Sequence, residues 1–261
     1  GAHSIALKTD GTVWTWGYNI AGQLGVETTE KCEFDSIISY CSTTPVQVSG
    51  LTDVIAIAGG GFHIVALKSN GTVWVWGDSS SGRPGDGTTT KNTTPIQVSG
   101  LAGVIAIASG GHHTIALKRD GTVWAWGSNS VGQLGDGTRA DSTTPIQVSG
   151  LTGVTAIAAG GNPGGNTGGR NWYVEHSIAL KTDGTVWAWG DNEYGQLGVI
   201  TTEICYISLG KEVVISTLCS TTPLQISGFT DVTTIAAGWE HSIALKTDGA
   251  VWAWGDNEHG Q

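Results

Sequence analysis

The stretch HSIALKTDGTVWTWG at residues 3–17 returns as HIVALKSNGTVWVWG at 63–77, HTIALKRDGTVWAWG at 113–127, HSIALKTDGTVWAWG at 176–190 and HSIALKTDGAVWAWG at 241–255. Such a repeat constrains the fold more than any other feature, because each copy must bury its apolar face against its neighbours rather than in one unique core. The leading tryptophans Trp14, Trp74, Trp124, Trp187 and Trp252 are 60, 50, 63 and 65 residues apart, a basic period of 50 with insertions of 10, 13 and 15. Two further segments recur between the copies: TTP-[VIL]-Q-[VI]-SG, as at Thr43–Gly50 and Thr143–Gly150, and V-x-x-IA-x-G, as at Val54–Gly60 and Val154–Gly160.

Within each copy the pattern has a period of two. Ile5 and Leu7 alternate with Ser4 and Ala6, and Trp14 and Trp16 alternate with Val13 and Thr15, which describes two half-buried strands. Between them stands Asp10-Gly11, then Asn70-Gly71, Asp120-Gly121, Asp183-Gly184 and Asp248-Gly249. An Asx-Gly pair predicts a tight primed turn with positive φ at both residues. Each unit offers four short strands and no amphipathic helical stretch, so the chain is expected to be all-β, a β-propeller of four-stranded blades. The units are placed at roughly 1–60, 61–110, 111–174, 175–238 and 239–261, a single repeat domain of four full units and one half unit. A propeller closes by pairing its last blade with its first, so further repeats are expected beyond one or both ends.

Composition narrows the function. Twenty-two acidic residues against twelve basic ones leave a net charge of −10, without a basic cluster, so nucleic acid is not an expected partner. The apolar runs are strand-sized, which leaves no candidate for membrane insertion. Aspartates and glutamates are scattered or sit in turns, and no nucleophile–base pair stands out, so the chain is not expected to be an enzyme or to hold a cofactor.

The longer pattern H-[ST]-[IV]-AL-K-x-[DN]-G-x-V-x-x-WG-x-N-x-x-GQLG, whole at His113–Gly135 and His176–Gly198, resembles the regulator-of-chromosome-condensation repeat. The resemblance covers the chain outside its insertions and departs at Arg83-Pro84, where the other units have Gln-Leu. It implies a seven-bladed propeller, of which this chain would be a fragment. It also implies two kinds of function: nucleotide exchange on a small GTPase in the nucleus, and target binding by secreted or surface bacterial propellers.

The cysteines bear on that choice. Cys32 with Cys41 and Cys205 with Cys219 fall only in the insertions of units one and four, each first cysteine seven residues past a Leu-Gly and each second one directly before Ser-Thr-Thr-Pro. The placement fits two disulfides and an oxidising compartment. Buried free thiols are the alternative, whereas the spacings C-x8-C and C-x13-C lack the form of a zinc site, so no metal is expected.

The repeated histidines His3, His63, His113, His176 and His241 are read as one structural hydrogen bond in five copies, with His112 and His259 as extras. The tryptophan pairs are read as blade core, and the repeated lysines, such as Lys8 and Lys118, as solvated strand ends. Specific function is then expected where the period breaks: Val26–Ser42, Gly161–Val174 and Val199–Ser220. The third break carries Ile204, Tyr206, Ile207, Leu209, Val213, Val214 and Ile215 around Gly210-Lys211, an apolar hairpin suited to contact. The second ends in Arg170, Trp172 and Tyr173, a tip suited to protein or sugar. Trp239 and Phe62, just before equivalent histidines, differ between units and are expected to line the same face. Asp191-Asn192-Glu193 is read as a solvated turn.

The expected function is therefore non-catalytic: a protein- or glycan-binding module of a secreted or cell-surface bacterial protein, acting through its inserted loops and monomeric when full length. The alternative is a cytoplasmic guanine-nucleotide exchange factor for a small GTPase.

Overall fold

The computed structural model describes residues 3–34, 37–78, 85–161, 174–208, 214–258 and 260. Among these every regular element is a β-strand. The second blade shows the plan: β5 (Val54–Gly59), β6 (His63–Lys68), β7 (Val73–Gly77) and β8 (Asn92–Gln97) form one antiparallel meander in that order. The third blade repeats it with β9 (Val104–Ser109), β10 (His113–Lys118), β11 (Val123–Gly127) and β12 (Ser142–Gln147). A blade therefore begins at the V-x-x-IA-x-G strand, one strand before the tryptophan hairpin.

The remaining sheets are variations on this plan. The first contains β1 (His3–Leu7), β2 (Val13–Tyr18), β3 (Lys31–Phe34) and β4 (Ile37–Gln47), in the order β1-β2-β4-β3. The fourth contains β13 (Val154–Gly161), β14 (Glu175–Lys181), β15 (Val186–Asp191), β16 (Glu203–Ser208) and β17 (Val214–Gln225), in the order β13-β14-β15-β17-β16. The fifth has β18 (Val232–Ala237), β19 (His241–Lys246) and β20 (Val251–Gly255). In the first and fourth sheets the cysteine-bearing insertion thus folds as one extra strand beyond the outermost one.

The turn between the hairpin strands differs from the expected primed type. Gly11 has φ 78°, but the only described residues other than glycine with positive φ are Asp53 and Asp231, so Asp10 does not share the left-handed region. Gly11 N–H donates to Lys8 O and Lys8 N–H to Thr12 O, which makes a type I turn closed by a left-handed glycine. The aspartate holds this turn from its side chain: Asp10 Oδ1 accepts from Thr12 N–H at 3.0 Å and from Thr12 Oγ1 at 2.6 Å.

The core lies between facing sheets. Val65, Leu67, Val73 and Val75 of blade two meet Val98, Leu101, Val104, Ala116 and Trp126, all buried. The two tryptophans of each pair have different jobs. Trp76, Trp126 and Trp189 are completely buried. Trp76 Nε1 donates to Gln23 O, Trp189 Nε1 to Gln133 O and Trp254 Nε1 to Gln196 O, so at these three boundaries a blade plugs an indole into the GQLG turn of the blade before it. Each such indole removes on the order of 200 Å² from water, an upper bound of about 5 kcal/mol. The first tryptophan of a pair is only half-buried; Trp124 Nε1 donates to Thr122 Oγ1. The lysine read as a solvated strand end lies over that ring, Lys118 Nζ being 5.3 Å from the Trp124 centroid and Lys8 Nζ 5.4 Å from that of Trp14.

Candidate binding surface

The repeated histidines stand at the start of β6, β10, β14 and β19, the second strand of each blade, and face the blade that follows. His63 Nε2 lies 3.1 Å from Thr114 Oγ1, His113 Nε2 2.8 Å from Ser177 Oγ and His176 Nε2 2.9 Å from Ser242 Oγ, so these three histidines each bond to the hydroxyl residue of the next blade. Ser242 Oγ in turn donates to Gln196 O, which assigns the Nε2 proton to His176. Burial first, then the charges of His113 and His241, push the His176 pKa down to about 3, so the ring is neutral. Glycine is required where these rings pack: a Cβ on Gly160 would lie 2.2 Å from Gly238 O and 2.4 Å from His176 Cε1.

One blade boundary departs from the repeat. Glu175, 1% exposed, accepts from His112 Nδ1 at 2.5 Å, from His113 Nδ1 at 2.8 Å and from Gln133 Nε2 at 3.1 Å. Burial raises the Glu175 pKa, but the charge and hydrogen bonds of the two imidazoles outweigh it and hold the carboxyl well below its usual range. Ser177, His113 and Glu175 are connected like a hydrolytic triad, yet Ser177 is completely buried and its hydroxyl donates to Gln133 O at 3.0 Å, so a substrate cannot reach it. The cluster is a latch between blades three and four. His112, read from the sequence as an extra, is part of it.

Both insertions fold as disulfide-pinned hairpins. Cys32–Cys41 and Cys205–Cys219 are bridged, each with Cα atoms 5.9 Å apart. A glutamate two residues before the first cysteine closes each base: Glu30 accepts from Thr43 N–H at 2.9 Å, and Glu203 from Thr221 N–H at 3.0 Å. Replacing Cys205 and Cys219 together by serine is expected to lower the unfolding free energy by roughly 2–3 kcal/mol, measured by urea titration against the unreduced protein.

The β16–β17 hairpin has two unlike faces. Cys205, Ile207 and Cys219 pack on Val131 of the preceding blade. The opposite face carries Ile204, Tyr206 and Leu218, 50%, 59% and 42% exposed, and Ile200 just before the hairpin is 97% exposed. The β3–β4 hairpin repeats the alternation with charges added: Tyr40 and Ile38 are exposed and stand opposite Lys31 and Glu33.

The foot of the second hairpin is titratable. Asp191, expected in a solvated turn, is 1% exposed and accepts from Thr217 Oγ1 at 2.6 Å and Gln196 Nε2 at 2.5 Å. Burial raises its pKa to about 7 against those hydrogen bonds. Between pH 3.8 and about 7 the folded carboxyl keeps a proton that the unfolded chain has released, so stability falls as pH rises across that window. Asp191→Asn removes this component. Its urea midpoint relative to wild type is expected to be higher at pH 8 than at pH 5.

The other sequence candidates are placed as follows. Trp239 is 55% exposed and lines an opening of about 320 Å³ at the axis, with Gly60, Gly110 and Gly160 among its walls. Phe62 is half-buried and does not line that opening. Arg170, Trp172, Tyr173 and Lys211 lie outside the described residues, as do Leu209 and Val213. Sequence reasoning missed Glu175 and its pairing with His112. The signal available was that the residue before the repeated histidine changes from Phe62 to His112, Glu175 and Glu240.

Four-stranded blades around a common axis, latched to their neighbours by buried indoles and imidazoles, define a β-propeller repeat protein. The chain belongs to the family of the regulator of chromosome condensation (RCC1) repeat, whose models match residues 10–67, 70–117, 120–162 and 183–245, and again 54–83, 104–133 and 232–261. It is 30% identical to the ultraviolet-B receptor UVR8 of Arabidopsis thaliana over 100% of this chain and 52% of that one. Among solved structures, human WBSCR16 superposes with a TM-score of 0.74 at 25% identity, covering 99% of this chain and 61% of that one. Prp20p of Saccharomyces cerevisiae, described with its binding to Gsp1p and histones, gives 0.69 at 23% identity, covering 99% and 70%. The chain spans about half of UVR8 and 5% of the human E3 ubiquitin-protein ligase HERC2, to which it is 29% identical. No helix among the described residues is long and apolar enough to cross a membrane.

Proposed function

We propose that this chain is a non-catalytic protein-binding module of a secreted or cell-surface bacterial protein, and that the outward face of the β16–β17 hairpin is its contact surface. The observation that carries this is the exposed, uncharged face of Ile204, Tyr206 and Leu218 on a hairpin whose other face is buried and cross-linked. Apolar and aromatic anchors free of charge suit the centre of a protein interface. Pinning the hairpin before binding lowers the ordering cost of association. Two disulfides support an oxidising location.

Tyr206→Ala and Leu218→Asp are expected to remove whatever extracellular protein the wild type captures, with thermal unfolding unchanged, because both side chains are exposed. Equal capture by wild type and both variants overturns the assignment of this face. Nucleotide exchange on a small GTPase is the rival activity, drawn from the family. It predicts faster release of a fluorescent GDP analogue from a partner GTPase, and free alkylation of all four cysteines in the natively expressed protein.

A further inference from the structure

The first hairpin borders a cleft of different chemistry. Its walls are the Val26–Thr29 segment and Tyr40 on blade one and Lys91 and Thr93 on blade two, with Asn19 and Gly22 at the base, enclosing about 310 Å³. Val26 and the Tyr40 ring are the main apolar surfaces; the rest is hydroxyl, amide, one carboxylate and one ammonium.

The walls are held in place from behind. Asn19, 7% exposed, donates through Nδ2 to Val26 O at 2.9 Å and to Thr28 Oγ1 at 3.0 Å, and its backbone N–H donates to Tyr40 O at 2.8 Å. Thr28 Oγ1 accepts from Asn19, so its own proton is left to donate elsewhere. Lys91 Nζ reaches across the blade boundary to Ile20 O. Lys31 Nζ stands 5.8 Å from the Tyr40 ring centroid, and the ring is half-exposed. Tyr40 adjoins Cys41 of the disulfide, which pins this wall.

The composition selects the ligand. A protein anchor wants an apolar, charge-free centre, which this cleft lacks. An anion would meet Glu27 and a chain of net charge −10, with Lys91 as the one cation among the lining residues. An uncharged polyhydroxylated ring fits both requirements: its hydroxyls pair with Thr28, Thr29, Thr93 and Glu27, and its apolar C–H face stacks on Tyr40.

We infer that this cleft is a binding site for a neutral oligosaccharide, with Tyr40 as the stacking platform. The inference rests on the reading of the inserted hairpins as binding elements, but its titration needs no protein partner, so its failure and that of the Tyr206 face are read separately. The experiment is calorimetric titration of the full-length protein with cellohexaose, chitohexaose, maltohexaose, xylohexaose and mannohexaose. Saturable binding of at least one, with Kd of about 1 mM or tighter, is expected. Tyr40→Ala should weaken it about tenfold, the scale of one lost stacking contact, while Tyr40→Phe keeps it. Glu27→Gln, on an exposed side chain, should weaken it without touching the fold. Binding of none of the five, or equal binding by wild type, Tyr40→Ala and Glu27→Gln, overturns the site.

Discussion

Trp189→Ala is expected to lower the unfolding free energy by about 3–5 kcal/mol, the range for emptying a buried tryptophan site. Trp189 is completely buried, stands in the cluster with Ile115, Leu117, Leu134 and Val148 of blade three, and donates to Gln133 O. Its removal opens a cavity at a blade boundary and takes a donor from a buried carbonyl. Trp187→Ala, two residues away in the same strand, should cost clearly less, because that indole is only partly buried and bonds within its own hairpin. Paired urea titrations decide the matter. Equal losses for the two variants would refute the division of labour between the tryptophans.

Glu175→Ala should be comparably severe, about 3–5 kcal/mol, because removing one partner of a buried ionic cluster strands the others. His112 Nδ1, His113 Nδ1 and Gln133 Nε2 all give their hydrogen bonds to this one carboxylate. The coupling is testable by a double-mutant cycle with His113→Ala, which should return an interaction energy in the range of about 0.5–3 kcal/mol. Additive losses would mean that Glu175 acts by volume alone. The cluster joins the foot of β14 to the start of β10, so its loss should fall on the boundary between blades three and four.

The strands were legible because a propeller blade is built from local signals. Period-two alternation locates β6, β10, β14 and β19, and the Asx-Gly pairs mark their turns, although the turn is type I with a left-handed glycine rather than primed. A primed turn requires the aspartate to share the glycine's positive φ. In the folded hairpin the aspartate instead caps Thr12 with its carboxylate, a side-chain contact that outweighs the backbone preference. The two cysteine pairs were legible from their matched placement, since each bridge closes within a single hairpin. The character of each hairpin face was not. Cys205 and Ile207 turn inward because Val131 of the neighbouring blade receives them, and Tyr206 turns outward because the pleat leaves it no choice.

The amino-acid sequence by itself dictates an all-β repeat of glycine-rich hairpins, five aligned histidines and two stapled insertions, because each of these is encoded within one copy and then repeated. Only the tertiary structure decided what happens between copies. It placed Glu175 against His112 and His113, buried Asp191 at the foot of the second hairpin, and set Tyr40 over a polar cleft shared with Lys91. Those partners lie 51 to 63 residues apart or depend on which face a neighbouring blade presents, as with Asp191 beneath its own insertion. A repeat specifies the geometry of a boundary, but the unique residues that meet there come from different copies, and no local pattern announces their meeting.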